Sequence, residues 1–337
     1  MTTLKFLGSF CAIFLSGIMA RAQDPSFSQF FSSPLNVNPA LTANTNSTWR
    51  MVANLRDQWI GPVSPYFTGT ISFDTKALKE QLSETSVFGI GGMLMHNQSM
   101  GGILKGNFAS FTTSYNVLLA SNDADHRLGM GIGITYANKT IDKSRLYFAE
   151  QFTGSGFDRN LPSGEQALAY IKPYFSSSAG MLYSYTSTYT NIDIGAAAYH
   201  LNKPKQTYMK DEFQHLPVRY VGHANMETYL NDNVLLNLNT IYQSQAATSY
   251  FSFGGAIGYF LGEANGDNPI VNLGLWYWSK NAIIPYVGYA HRNYQVGLTY
   301  DVTMSKLSQA SIKPRTFEIS IILRGERKEK YILCPWK

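Results

Sequence analysis

The sequence predicts an all-β protein, a transmembrane antiparallel β-barrel of about 14 strands that lies in an outer membrane. Three observations support this prediction: an export signal at the start, an aromatic-rich and charge-poor composition, and period-two alternation along most of the chain. Aromatic residues make up 14% of the 337 residues and charged residues 15%, against a usual ~25% charged in soluble domains. Such a composition suits a wall whose outer face contacts lipid.

Residues 1–22 have the three parts of a signal peptide. Lys5 is basic, an apolar stretch runs from Phe6 to Met19, and Ala20-Arg21-Ala22 fits the small-x-small cleavage pattern, which leaves Gln23 as the first mature residue. A membrane anchor is the alternative, but the stretch is shorter than the ~20 residues that a spanning helix needs. We therefore expect an exported protein that loses this segment.

Residues 23–46 precede the alternating part of the chain. They are rich in Asn, Ser and Pro and contain an aromatic cluster of Phe27, Phe30 and Phe31. Since they do not alternate, we expect a periplasmic or lumenal segment outside the wall. Two alternatives remain open: the segment folds back to plug the lumen, or it presents its aromatic side chains to another protein.

Period-two alternation between residues 47 and 324 predicts the strands of the barrel. It is clearest at residues 128–137, where large apolar residues alternate with Gly, Thr and Ala, and it recurs at 234–242, 294–301 and 317–323. At ~20 residues per strand and turn, this part holds ~14 strands, an even number as in bacterial barrels. Closure leaves no strand edge unpaired in lipid. An even number also predicts that both ends of the chain lie in the periplasm.

Tyrosines near the predicted strand ends favour a membrane barrel over a soluble β-sandwich, which would alternate as well. Interfacial girdles of aromatic residues are typical of outer-membrane barrels. Helical periodicity is nearly absent, and the one short polar candidate is residues 75–84. The tyrosines expected in the girdles are Tyr183, Tyr185, Tyr199, Tyr242, Tyr259 and Tyr300.

The sequence contains no motif that predicts catalysis or metal binding. His200, His215 and His223 lack the compact spacing of a metal site, and no HExxH, GxSxG or phosphate loop occurs. Glycine-rich residues 89–92 and 129–133 lack the strand-to-helix context of a nucleotide loop, so we interpret them as lumen-facing residues that ease strand bending. We expect a non-enzymatic protein without catalytic residues, metal or cofactor.

Residues 325–337 form a charged C-terminal tail after the last predicted strand. The tail is either a solvated stop or a docking segment for a periplasmic partner, in which Tyr331, Cys334, Pro335 and Trp336 would make the contacts. A plain barrel would end at its last strand, so the extra residues favour a contact of some kind.

Several motifs, in the same order along the chain, resemble the PorP/SprF family of type IX secretion membrane proteins. The chain departs from the usual family pattern at Ala43 and Ala224, where Gly is common, and at Trp278 and Asn281, where Arg and Asp are expected. The similar stretches are Gln23 to Phe30, Pro34-Leu35, Asn38-Pro39-Ala40, Arg56-Asp57-Gln58-Trp59, Pro65-Tyr66, Ser72-Phe73-Asp74, His200 to Gln206, Leu216 to Tyr220, Ala282 to Pro285, Tyr300-Asp301-Val302 and Cys334-Pro335-Trp336.

The resemblance implies an outer-membrane barrel of Bacteroidota that serves type IX secretion and, in some members, gliding motility. Members resembling SprF serve a cognate secreted protein, often an adhesin with a conserved C-terminal domain, which they help to secrete or anchor at the surface. Members resembling PorP associate with a periplasmic peptidoglycan-binding lipoprotein and the secretion ring. We expect such partners and outer-membrane lipids, and no nucleic acid. The alternative is a channel for small solutes or hydrophobic compounds.

Motif position alone suggests which residues contact a partner. For Lys203 and Pro204 a loop turn is the competing interpretation, because proline cannot donate a hydrogen bond within a central ladder. The expected partner-binding residues are Phe27, Phe30, Phe31, Arg56, Trp59, Lys203, Pro204, Tyr331, Cys334, Pro335 and Trp336.

Overall fold

The computed structural model describes residues 24–61, 64–78, 80–83, 85–121, 123–158, 160–164, 171–206, 214–262 and 268–326. The predicted signal peptide, residues 1–22, lies outside the described residues. So do Tyr331, Cys334, Pro335 and Trp336 of the C-terminal tail.

The described residues form one antiparallel sheet that is closed into a barrel. Its strands are β1 (Trp49–Ile60), β2 (Tyr66–Ala77), β3 (Ser86–Ser99), β4 (Leu104–Ser121), β5 (Asp125–Ile141), β6 (Tyr174–Thr186), β7 (Thr190–Tyr199), β8 (Arg219–Asn231), β9 (Val234–Gln245), β10 (Thr248–Phe260), β11 (Ile270–Trp278), β12 (Ala282–His291), β13 (Tyr294–Tyr300), β14 (Val302–Thr303) and β15 (Arg315–Arg324). Because β13 and β14 are two parts of one strand interrupted at Asp301, and both pair with β12, the barrel has fourteen strands, as predicted.

Each strand pairs with its neighbours in the chain, so the barrel is a series of antiparallel hairpins. The ring closes where β1 pairs with β15, for example at Arg50 and Arg324. The wall therefore satisfies its own backbone hydrogen bonds, as a membrane-spanning sheet must.

Alternation along the strands separates a lipid-facing surface from the lumen. On β5, Leu128, Met130, Ile132, Ile134 and Tyr136 are all exposed. The polar residues on the opposite faces of other strands are buried, including Asn237 and Asn239 of β9. The apolar face of the predicted alternation thus contacts lipid, and the polar face lines the lumen.

The two ends of the barrel differ. One end, which we call the long-loop mouth, carries the connections 142–173 and 200–218. The other, the terminal mouth, is where β1 begins and β15 ends. The last described residues lie at the terminal mouth, where the Thr48 N–H donates to the Glu326 carbonyl. Asp24, in contrast, contacts His200 and Arg219 at the long-loop mouth. The expectation that both chain ends lie on the same side is therefore not met by the described ends.

Three further features of the described residues bear on the sequence predictions. The short helical candidate at residues 75–84 forms no helix where it is described, because residues 75–77 end β2 and the described residues that follow form turns. Tyr183, Tyr242, Tyr259 and Tyr300 are exposed on the lipid face, whereas the Tyr199 hydroxyl points inward and donates to the Leu35 carbonyl. No helix among the described residues is long and apolar enough to cross a bilayer.

Candidate functional site

The lumen is filled by the protein's own N-terminal segment. Residues 24–47 run through it from the long-loop mouth to the terminal mouth, where β1 begins. Pro34 and Pro39 start two short turns, a single helical turn α1 (Pro34–Val37) and a 3-10 turn (Pro39–Leu41), because the fixed φ of proline suits a first helical position. With so little secondary structure of its own, the segment needs hydrogen-bond partners from the wall.

At the long-loop mouth the segment is held through Asp24. One carboxylate oxygen lies 2.6 Å from His200 Nε2 and 3.4 Å from Arg219 Nε, and the backbone N–H donates to the side chain of Gln245. Burial alone would raise the pKa of Asp24, but the charges of His200 and Arg219 outweigh it and hold the pKa well below its usual value. Asp24 is therefore an anchoring carboxylate.

A buried charge cluster holds the next residues of the segment. Arg56 of β1 lies 3.0 Å from Asp301 and 3.8 Å from Glu318 of β15, and all three side chains are nearly inaccessible to solvent. Glu318 accepts hydrogen bonds from the backbone N–H groups of Ser28 and Gln29, at 2.7 and 2.9 Å. Glu318 thus binds two consecutive backbone N–H groups of the segment, so this cluster fixes the segment in place.

A second ion pair lies nearer the terminal mouth. Arg50 donates two hydrogen bonds to Asp74, at 3.1 and 2.8 Å, and a third to the Leu41 carbonyl. Asp74 also accepts from the Ala43 N–H at 2.6 Å. Between the two charged sites, the Asn38 amide donates to the carbonyl oxygens of Met181 and Ala196. The segment is thus bound by polar contacts along its whole length.

The predicted aromatic cluster packs against the inner wall. Phe27 is 3% exposed and Phe30 7%, while Phe31 stacks on Trp276 with ring centroids 4.6 Å apart and meets Tyr286 edge-on. Of the two alternatives for residues 23–46, this placement favours the plug. The lumen therefore has an apolar part beside its polar contacts.

Inward-facing glycines make room for the segment. A Cβ atom on Gly131 would overlap the backbone of Pro39 and Ala40, and one on Gly89 would approach Thr42 and Ala43. These glycines do face the lumen, as predicted, but the structure gives close backbone approach as the reason for them.

An open cavity remains above the segment at the long-loop mouth. This vestibule has a volume of about 490 Å³. Lys105, Lys139 and Lys280 make it basic, and Asp24 to Ser26 form part of its lining. Its aromatic residues are Trp59, Tyr66, Tyr250 and Trp278. Lysines together with aromatic faces can bind a ligand with both anionic and planar groups.

The remaining expected partner-binding residues are dispersed. Arg56 is buried in the charge cluster. Trp59 is partly exposed at a β-bulge with φ 65° and lines the vestibule. Lys203 has φ 43° and lies in a turn beside the buried Pro204, in agreement with the loop interpretation.

The sequence did not predict which residues bind the segment most directly. Asp74 and Asp301 lie within family-like motifs but were given no role, and Glu318 was not identified at all. All three are acidic residues at inward positions, and Glu318 lies between outward-facing apolar neighbours. A charged residue at an inward-facing strand position was the signal in the sequence that could have indicated these contacts. Among the described residues, no group of three or more His, Cys, Asp or Glu side chains could hold a metal ion.

Comparisons with known proteins agree with this architecture. The sequence model of a family described as type IX secretion system membrane protein PorP/SprF matches residues 19–323. No curated protein matches the chain at a significant level.

Solved structures share the barrel fold at low sequence identity. A deltaS2 mutant of the monoaromatic hydrocarbon channel TodX has a TM-score of 0.50 at 8% identity, covering 86% of this chain and 93% of the other. A FadL homologue of Pseudomonas aeruginosa has a TM-score of 0.49 at 10% identity, with 86% and 93% covered. The Acinetobacter baumannii outer membrane protein Omp33 has a TM-score of 0.38 at 8% identity, with 82% and 98% covered. At 8% identity, the likeness to the TodX mutant extends to the fold alone.

Proposed function

Because the chain belongs to the PorP/SprF family of type IX secretion membrane proteins, we propose that it is a non-enzymatic accessory barrel that helps to secrete a cognate cargo protein or to retain it at the cell surface. The family places it in the outer membrane and in the type IX secretion apparatus. The cargo, the manner of its capture and the sides of the membrane that each mouth faces are the proposal.

The filled lumen carries this proposal. A segment fixed by Glu318, Asp74 and Asn38 leaves little room for solute to pass. The vestibule at the long-loop mouth stays open and is lined by lysines and aromatic residues, which suits the binding of a polypeptide. A barrel built in this way is better adapted to hold a protein than to conduct.

Each mouth has a proposed side and partner. Outer-membrane barrels carry their longer loops outside and their short turns in the periplasm, so we place the long-loop mouth at the cell surface, with the cargo. The terminal mouth then faces the periplasm, where residues 325–337 would contact a peptidoglycan-binding lipoprotein or ring component. A role in gliding motility would follow if the cargo is an adhesin.

The channel remains the alternative function. It requires residues 24–47 to leave the lumen, and the buried ion pairs Arg56–Asp301 and Arg50–Asp74 oppose this. A channel that stays plugged in the resting state would still need a trigger to open.

Co-purification tests the proposal. An affinity tag fits at residues 153–156, where Gly154 and Gly156 have open space around them. We expect a large secreted protein to co-purify at near-equal amount from gently solubilised membranes, and Lys105→Glu with Lys280→Glu to reduce it severalfold. Lys143→Glu, an exposed loop lysine outside the vestibule, is the matched control. Recovery of the barrel alone, under conditions that preserve another barrel complex, would contradict the proposal.

A further inference from the structure

A hollow of about 570 Å³ lies on the lipid-facing side of the wall, away from the lumen and the vestibule. It spans five neighbouring strands, β2, β1, β15, β13 and β12, near the long-loop mouth. Its volume falls within the ~300–1,000 Å³ of small-molecule sites. The outward side chains that line it are Leu55, Asp57, Phe67, Pro285, Val287, Leu298, Tyr300, Phe317 and Ile319.

The hollow faces the bilayer. Leu55, Val287, Leu298 and Phe317 are each exposed by 46–49%, and they alternate with inward residues such as Arg56 and Glu318. Part of the space arises because Gly69 lies where a larger side chain would contact Leu55. A surface of this kind accommodates a hydrocarbon chain.

Asp57 is the exception in this apolar lining. It lies opposite Phe67 on one neighbouring strand and Phe317 on the other. Its Oδ1 atom is fully buried and has no hydrogen-bond partner among the described residues. A carboxylate in apolar surroundings is costly unless it is paired. Asp57 as a whole is only half-buried, so a cationic group at the lipid face can reach its carboxylate.

We propose that the hollow binds a membrane lipid with an amine headgroup, whose acyl chain fills the apolar surface and whose ammonium group pairs with Asp57. Asp57 is the fourth residue from the end of β1, and Tyr300, which is exposed on the lipid face, lines the same hollow. Aromatic residues of this kind mark the level of the headgroups. The headgroup would thus lie at the membrane depth of Asp57, and the acyl chain would lie deeper, along the hollow.

A lipid fits the hollow better than a partner protein does. The hollow is a concave space in the wall, and its one outward-facing acidic residue lies at the end nearer the long-loop mouth. This arrangement matches one acyl chain attached to one cationic headgroup. A protein interface would need about 800 Å² of buried surface on each partner, and one isolated acidic residue gives little specificity for it.

Native mass spectrometry of the purified barrel tests the proposal. The protein is exchanged into nanodiscs of phosphatidylethanolamine, phosphatidylcholine or phosphatidylglycerol and then released into the gas phase. We expect one retained phosphatidylethanolamine per barrel and about tenfold lower retention for Asp57→Asn, which keeps the shape but removes the charge. Leu298→Trp fills the hollow and is expected to abolish retention. Leu273→Trp, at another exposed lipid-facing leucine, is its control.

The outcomes separate the possibilities. Equal retention of the three lipids, or retention unchanged by Asp57→Asn, would overturn the proposed amine pairing. If Leu298→Trp and Leu273→Trp lose lipid retention equally, the proposed location of the lipid in the hollow is wrong. A photocrosslinker at residue 287 that captures a protein and no lipid would show that the occupant is a protein. Each variant is first checked for the heat-modifiable mobility of a folded barrel.

Discussion

The guanidinium group of Arg56 lies 3.0 Å from a carboxylate oxygen of Asp301, although β15 separates their strands in the wall. The contact crosses the lumen side of β15 and joins the first strand to the point where β13 is interrupted. Ser28 of the N-terminal segment donates its hydroxyl to the same carboxylate oxygen at 2.7 Å. The Asp301 carboxylate therefore stabilises both the contact between these strands and the docking of the segment.

Asp301→Asn is expected to weaken both this contact between the strands and the docking of the N-terminal segment. Removing one partner of a buried ion pair leaves an uncompensated charge and costs about 3–5 kcal/mol. Limited proteolysis should cut residues 24–47 at least tenfold faster, and the barrel band should lose its heat-modifiable shift at a lower temperature. Asp125→Asn breaks the more exposed Arg127–Asp125 contact and should have little effect. Equal behaviour of the two variants would argue against the charge cluster as the anchor.

Gly131→Ala is expected to displace the N-terminal segment. The added methyl group would overlap the backbone of Pro39 and Ala40, which cannot yield as a flexible side chain could. Gly222→Ala is the matched control, since nothing lies within 4 Å of a Cβ at that position. Hydrogen exchange of residues 24–47 should rise in Gly131→Ala alone. Unchanged exchange in both variants would mean that the segment packs less closely against β5.

Phe31→Ala is expected to loosen the segment while the barrel persists. The lost contacts with Trp276 and Tyr286 should cost docking free energy of at most about 3–5 kcal/mol, the range for Phe→Ala in a core, because Phe31 is only partly buried. Phe73→Ala, at a lipid-facing phenylalanine, should leave docking unchanged. Tryptophan fluorescence and proteolysis report on docking, and the heat-modifiable band reports on the barrel. Loss of that band in Phe31→Ala would make the cluster part of barrel folding.

Docking of the segment at Asp24 is expected to weaken only in acid. Its pKa is lowered in the docked state, so its contribution is fully present above the ordinary value of about 3.8 and is lost as pH falls through the docked-state pKa. Between pH 8 and pH 4, titration of Asp24 should not alter the protection of the segment from proteolysis. Below pH 4, this protection should decrease. Asp24→Asn should dock more weakly at neutral pH and lose the acid-dependent step. A step that persists in Asp24→Asn would have to come from another group.

The intact protein is expected to be silent in planar bilayers. Deletion of residues 24–45 removes the segment but keeps every strand, so steady conductance steps should appear. An intermediate test is Asp301→Asn, which should give brief openings. A wild-type protein that conducts as well as the deletion variant would favour the channel function over the accessory function.

The sequence was sufficient to predict the wall of the barrel, but it predicted the contacts in the lumen only in part. Alternation at residues 128–137 and 317–323 predicted strands with one apolar face, because side chains of a strand point alternately to its two sides. The length of the alternating part of the chain predicted the number of strands. It could not place Glu318 against Ser28 and Gln29, since those contacts join positions 290 and 289 residues apart. Arg56 and Asp301 were identified within motifs, but their pairing depends on the curvature of the closed sheet. Trp278, a departure from the family pattern, packs under the Arg56 guanidinium at 4.9 Å.

The position of Glu318 constrains the order in which this protein matures. Glu318 is on the last strand and binds the start of the mature chain, so the two contacts span almost the entire polypeptide and carry a large loop-closure entropy. Because the wall is a closed ring, the N-terminal residues reach the interior either before β15 pairs with β1 or afterwards through a mouth of the barrel. In both orders the contacts to Glu318 are complete only once β15 is in place, so we expect docking of the segment to be a late and slow step of biogenesis.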